Sequence, residues 1–209
     1  MDTNQLYPAL ASFIDERRSE FDQIPASRKT ELEEVAAYLR ARLGDSETAR
    51  LTFICTHNSR RSHLSQIWAK VAADAHGLTG ITTYSGGTEA TAMNPRVVDS
   101  LRRSGLIVDT DGGDADNPIY RVAYSDDSNP LECFSKVFSE SPNPTTDYAA
   151  VMTCSSADQA CPVVTGCDLR SPIRYEDPKV ADDTPQEAAV YDERSRQICR
   201  EMLYMISKV

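Results

Sequence analysis

The 209-residue chain is predicted to be an α/β protein: a parallel sheet of about four strands with helices on both faces, plus an N-terminal helical extension. Three observations predict it. From about residue 50 onward, short apolar runs alternate with helical patterns, the chain order of a parallel sheet covered by crossover helices. One of those runs, Leu51-Thr52-Phe53-Ile54, passes straight into a polar loop and then a helix, so ligand chemistry is expected at a strand's carboxyl end. Residues 1–47 carry helical periodicity only.

In the extension, Leu6, Leu10 and Phe13 repeat at helical spacing, as do Leu32, Val35, Ala36, Leu39 and Leu43. Ile24-Pro25 separates the two helices, Ser27 or Thr30 is the candidate cap of the second, and Gly44 its stop. These helices are read as packing elements without chemistry. The catalytic domain is placed at 48–209. Its elements are a strand at 50–55, a loop, a helix at 62–76, a strand at 80–85 and a helix at 95–104 capped by Asn94 with Pro95 in first position. Strands at 148–153 and near 170–175 follow, and a last helix runs from about 185 to 207. Thr184-Pro185-Gln186-Glu187 opens it as a capping box, and Tyr191, Ile198, Met202 and Met205 form its apolar stripe.

The pattern breaks in an insert at about 110–147. Asp109 to Asp114 reads as a polar loop, Tyr120 to Tyr124 as a half-buried strand, and Leu131 to Phe138 as a short helix. A stretch this long without clear regular structure points to an active-site cover or an oligomer contact.

A formal net charge of −10 argues against nucleic acid as a partner. No apolar run approaches the ~20 residues of a membrane span. Met1-Asp2-Thr3-Asn4 lacks the basic and apolar regions of a signal peptide, so a cytoplasmic protein without membrane partners is expected. In that compartment six cysteines point to catalysis, redox chemistry or metal rather than permanent staples.

The most informative run is Cys55-Thr56-His57-Asn58-Ser59-Arg60-Arg61-Ser62. A cysteine, five residues, then arginine and serine at a strand-to-helix junction describe a loop that wraps a tetrahedral oxyanion. Its backbone N–H groups and the following helix N-terminus supply positive potential, and Arg61 grips two oxygens. The same field favours a Cys55 thiolate. The loop is therefore expected to hold phosphate or a phosphate mimic and attack it with sulfur. His57 is expected to face solvent.

Cys154 follows the strand end Val151-Met152-Thr153, and Cys161 comes seven residues later. Such a pair beside an anion-binding cysteine suggests thiol–disulfide exchange, provided the segment moves to bring the Cα atoms within about 7 Å. A zinc site using Cys154, Cys161, Cys167 and a histidine is the alternative, without the closely spaced pair that zinc prefers. Buried packing is the third reading. Asp177, in Tyr175-Glu176-Asp177-Pro178, suits a general acid; Asp-Pro is also a turn signal, and Glu176 competes for the role.

Together these residues resemble the low-molecular-weight tyrosine phosphatase superfamily, and within it the thioredoxin-coupled arsenate reductases. Four stretches carry the resemblance: 55–62, Tyr84-Ser85-Gly86-Gly87-Thr88-Glu89 on to Asn94-Pro95, Thr153-Cys154 with Cys161-Pro162, and Asp177-Pro178. The resemblance implies that Cys55 attacks arsenate held by the loop and Arg61, with Asp177 as proton donor. Asn58 and Ser62 shape the loop, Ser62 bonding to the Cys55 sulfur. Cys154 then takes the disulfide from Cys55 and Cys161 takes it from Cys154, to be reduced by thioredoxin. The alternative is phosphomonoester hydrolysis through a phosphocysteine at Cys55. Phosphatases of the family carry aromatic residues after Asp-Pro, where this chain has Lys179 and Val180. Gln66 stands where potassium-binding members carry glutamate, and no cofactor or metal is expected. Cys167 is a possible substitute for Cys161, whereas Cys133, Cys199, His63 and His76 are read as bystanders.

Overall fold

The computed structural model describes residues 6–46, 48–160 and 163–209. Four parallel strands form the central sheet in the order β2-β1-β6-β7: β1 is Ala49–Cys55, β2 Ile81–Gly87, β6 Tyr148–Met152 and β7 Cys167–Ser171. β1 and β6 are buried on both faces, as apolar runs in a parallel sheet must be.

Strand alternation divides the core. Leu51, Phe53, Ala149 and Val151 pack against α1 (Pro8–Arg18), α2 (Ala26–Ser46), α3 (Arg61–Ala75), α4 (Pro95–Arg103) and α6 (Glu187–Ile206). Ile54, Ala150 and Met152 face the other side, where the short α5 (Ser155–Ala160) supplies Ala157. Leu10, Ile14, Leu32, Val35 and Leu39 of the N-terminal helices are completely buried in the first of these clusters, together with Tyr191, Ile198 and Met202 of α6. Trp68 of α3 ties the layers: its indole N–H donates to Ser195 Oγ of α6 at 3.0 Å, and its ring stacks on Phe13.

Several boundaries differ from the sequence reading. α2 starts at Ala26, so Thr30 lies one turn inside it and its hydroxyl donates to Ala26 O instead of capping. Gly44 does not stop the helix, which runs on through Ser46. β7 begins three residues before the position expected near 170. At the start of α6 the capping box is displaced: Thr184 Oγ1 accepts from Gln186 N, and the Glu187 carboxylate reaches Asp183 N at 2.7 Å rather than Thr184. Asn94 caps α4 as expected, accepting from Arg96 N at 2.9 Å.

The insert is the largest correction. Instead of a polar loop and a short helix, it forms an antiparallel sheet of β3 (Ile107–Asp114), β4 (Asn117–Ala123) and β5 (Leu131–Cys133). The Asp- and Gly-rich β3 is built as a strand because β4 supplies its partners. Its register slips between Thr110 and Gly113, where Gly112 and Gly113 take the positive φ angles that glycine tolerates. Tyr120 and Val122 face inward from β4, as their alternation predicts.

Candidate active site

The carboxyl ends of β1, β2 and β6 converge. Cys55 closes β1 opposite Gly87 of β2, and Cys154 lies two residues beyond Met152, which pairs with Ile54. Thr153 fastens the two strand ends by donating to Ile54 O from both its N–H, at 2.7 Å, and its hydroxyl, at 2.9 Å. Cys55 and Cys154 are both buried and belong to one side-chain cluster. The loop hydroxyl of Thr56 lies 3.5 Å from Cys154 Sγ, which also accepts from Ala157 N at 3.3 Å at the start of α5.

The loop is held inside out. Four of its carbonyls accept from neighbouring segments: Cys55 O from Thr88 N, Thr56 O from Glu89 N, His57 O from the Thr91 and Ser135 hydroxyls, and Ser59 O from Asn94 N, at 2.9–3.1 Å. Among the described residues, the N–H groups of residues 56–60 find no protein acceptor. N–H groups left open at the N-terminus of a helix such as α3 can hold an anion. Asn58 makes the turn possible. It adopts φ 45°, a left-handed conformation that asparagine tolerates. Its amide donates to Ser62 Oγ at 2.9 Å, and its carbonyl accepts from Lys136 N at 3.0 Å. Ser62 Oγ then lies 3.1 Å from Cys55 Sγ. Gly87 is obligatory here, because a Cβ would stand 2.3 Å from Glu89 O, 2.6 Å from Thr56 O and 2.7 Å from Asn58 N.

Cys55, His57, Ser59, Arg60, Arg61 and Asp177 line a small cleft. Arg61 donates to Asp177 Oδ2 at 2.6 Å and to Tyr175 O at 3.1 Å, and its Nε is buried without a partner. Asp177 thus faces the cleft while its other oxygen caps the next turn through Lys179 N. Glu176, the rival acid, is 91 % exposed and points toward Arg194, and it does not line the cleft. The Arg60 guanidinium is directed to Tyr191 Oη at 2.7 Å and Asp182 Oδ2 at 3.0 Å, so its side chain braces the loop against α6. His57 is half exposed, as expected, with Nε2 3.0 Å from Glu89 Oε1.

Cys161, the second thiol of the expected relay, and Pro162 lie outside the described residues. Cys167 sits at the start of β7, donating to Val164 O at 3.0 Å, with burial raising its pKa. Cys133 and Cys199 are buried thiols held neutral, Cys133 pushed up to about 12 by burial. Sequence reasoning missed Ser135 and Lys136, which lock the anion loop from within the insert. No local motif marks them; only the docking of the insert brings them there. A roomier hollow of about 470 Å³ lies away from this chemistry, against Arg17, Glu20, Arg103 and Arg200. Its arginines are paired with carboxylates, so it offers an anion little net field.

Comparison with known proteins agrees with this geometry. The family model for low molecular weight phosphotyrosine protein phosphatase matches residues 50–117. An arsenate reductase from Bacillus licheniformis is 25% identical over 144 residues, covering 69% of this chain and 84% of the relative. Arsenate reductase 2 from Staphylococcus epidermidis is 28% identical over 127 residues, covering 60% and 76%. A crystal structure of a YwlE mutant from Bacillus subtilis shares the fold with TM-score 0.52 at 14% identity, over 77% of this chain and 97% of that one. A low molecular weight phosphotyrosine phosphatase from Vibrio cholerae aligns with TM-score 0.50 at 11% identity, over 76% and 95%. Among the described residues no helix is long and apolar enough to cross a membrane. In loop, fold and relatives alike, the chain is similar to the low molecular weight phosphotyrosine protein phosphatases and to arsenate reductases.

Proposed function

We propose that this protein reduces arsenate to arsenite by a relay of thiols. One observation carries the reading: a second buried cysteine, Cys154, stands at the end of the strand adjacent to that of Cys55, within the same cluster and in contact with the anion loop. A phosphomonoesterase needs no thiol there. Cys55 sulfur attacks arsenic bound in the loop, and Asp177 protonates the departing oxygen, which leaves as water. Cys154 then attacks Cys55 sulfur. The sulfur–arsenic bond breaks, its electron pair stays on arsenic, and arsenite leaves as the Cys55–Cys154 disulfide forms. Two thiols have supplied the two electrons. Cys161 carries the disulfide outward, where the dithiol of thioredoxin reduces it. Among the described residues no Phe, Tyr or Trp lines the cleft and Val180 is exposed, which suits a small inorganic oxyanion better than an aryl ester. The two homologous arsenate reductases add support.

A second reading, phosphomonoester hydrolysis, uses the same Asp177 carboxyl in the cleft as the acid that an alkoxide leaving group needs. Arsenate-dependent NADPH oxidation with thioredoxin and thioredoxin reductase separates the two. Sustained turnover in wild type, abolished in Cys154→Ser and Cys161→Ser, is expected. Full turnover in Cys154→Ser, or Cys55-dependent aryl-phosphate hydrolysis without arsenate turnover, would overturn the relay.

A further inference from the structure

Lys136 is 4 % exposed, a severe position for an ammonium. It lies in the insert, just beyond β5. Its main chain is stitched into the site: its N–H donates to Asn58 Oδ1 at 3.0 Å and its carbonyl accepts from Gly87 N at 2.9 Å. Its side chain finds little compensation. Nζ donates to Phe134 O at 3.2 Å and lies 4.5 Å from the centre of the Phe134 ring. Among the described residues no carboxylate pairs with it.

Two neutral groups neighbour this ammonium, and the Glu132 carboxylate of β5 acts on one of them, Cys133. Burial holds His63, from the first turn of α3, down to about 3, with Lys136 itself contributing. Burial holds the Cys133 thiol of β5 up to about 12. Among the described residues the Lys136 ammonium has no ion-pair partner, and both its main chain and its neighbour His63 adjoin Asn58 of the anion loop, where the N-terminus of α3 already adds positive potential. A buried cation without a counter-charge is unfavourable by itself, and it becomes favourable when an anion occupies the loop. In a low-dielectric interior such a charge acts over several ångströms.

We propose that Lys136 is a fixed internal cation of the anion site, whose ammonium strengthens oxyanion binding in loop 55–62 from behind without touching the anion. It is a positioning residue that acts through the field. The proposal rests on the anion-binding reading of the loop and is independent of whether arsenate is the substrate. Burial also lowers its ionisation from 10.5 to about 8, so the charge disappears as pH rises through that value.

The test is sulfate binding by calorimetry, in Cys55→Ser protein so that thiol ionisation does not contribute. Sulfate stays a dianion across the range used. Affinity should fall about tenfold between pH 7 and pH 9.5. Adding Lys136→Met should weaken binding about tenfold at pH 7 and flatten the profile, while both main-chain bonds of residue 136 remain. The double variant should resist urea as well as its parent or better, because an apolar chain replaces a buried charge. Equal affinity at pH 7, or the same pH slope in both proteins, would overturn the proposal. Should the double variant not fold, a flat profile in Cys55→Ser alone does so. Folded Cys55→Ser that binds no sulfate at any pH would overturn the anion-loop reading as well, whereas absent arsenate turnover leaves this inference standing.

Discussion

Arg61 and Asp177 hold each other at 2.6 Å in the lining of the cleft. In the proposed mechanism the anion grip and the proton donor are therefore partners until substrate arrives, and an incoming oxyanion must take Arg61 away from the carboxylate. Asp177→Asn removes the competitor and the acid together. Phosphate binding should tighten severalfold, while the chemical step falls by roughly 10²–10⁴. Calorimetry and single-turnover kinetics on the same variant check the two opposite effects.

Ser62 Oγ lies 3.1 Å from Cys55 Sγ and also accepts from Asn58. Ser62→Ala removes the hydroxyl that stabilises the attacking sulfur. The net worth of such a bond is about 1–2 kcal/mol, so thiol alkylation by iodoacetamide at fixed pH should slow by about tenfold. Unchanged alkylation would show that the hydroxyl serves only the loop.

Gly87→Ala places a Cβ against three backbone atoms that cannot retreat without opening the loop. Destabilisation of about 1–3 kcal/mol is expected from overpacking. Oxyanion binding should be lost even where urea titration shows that the fold survives.

His63 is fully buried and neutral, its pKa pulled from 6.5 down to about 3 chiefly by burial. The unfolded chain takes up a proton at this residue near 6.5 and the folded chain does not. Stability from this site is therefore fully present above pH 6.5 and is lost as pH falls toward 3, by about 1.4 kcal/mol per unit. His63→Phe should flatten this limb in urea titrations between pH 6.5 and pH 4.

Local signals made much of this protein legible in its sequence. The buried strands β1 and β6, the apolar stripes of α1, α2 and α6, and the Asn94-Pro95 cap are each written in consecutive residues or a single period. The anion loop is legible for the same reason: Cys55, Asn58, Arg61 and Ser62 act within one turn of chain. Where two local signals competed, sequence misled. Thr30 and Gly44 look like helix ends, yet packing of α2 on β1 and α6 carries the helix past both.

What the sequence by itself determined is the residue set at a strand end: a thiol, an arginine and the turn between them, because all of it lies within eight residues. Only the tertiary structure decided what surrounds that loop. β3 became a strand because β4 offered hydrogen-bond partners, and Ser135 and Lys136 reach the loop across 78 residues of chain. Asp177 meets Arg61 across 116 residues, and Glu176, its chemical equal one position earlier, is turned to solvent. Contacts between distant segments leave no period and no motif in the chain, since their geometry exists only once the sheet has set the strands side by side.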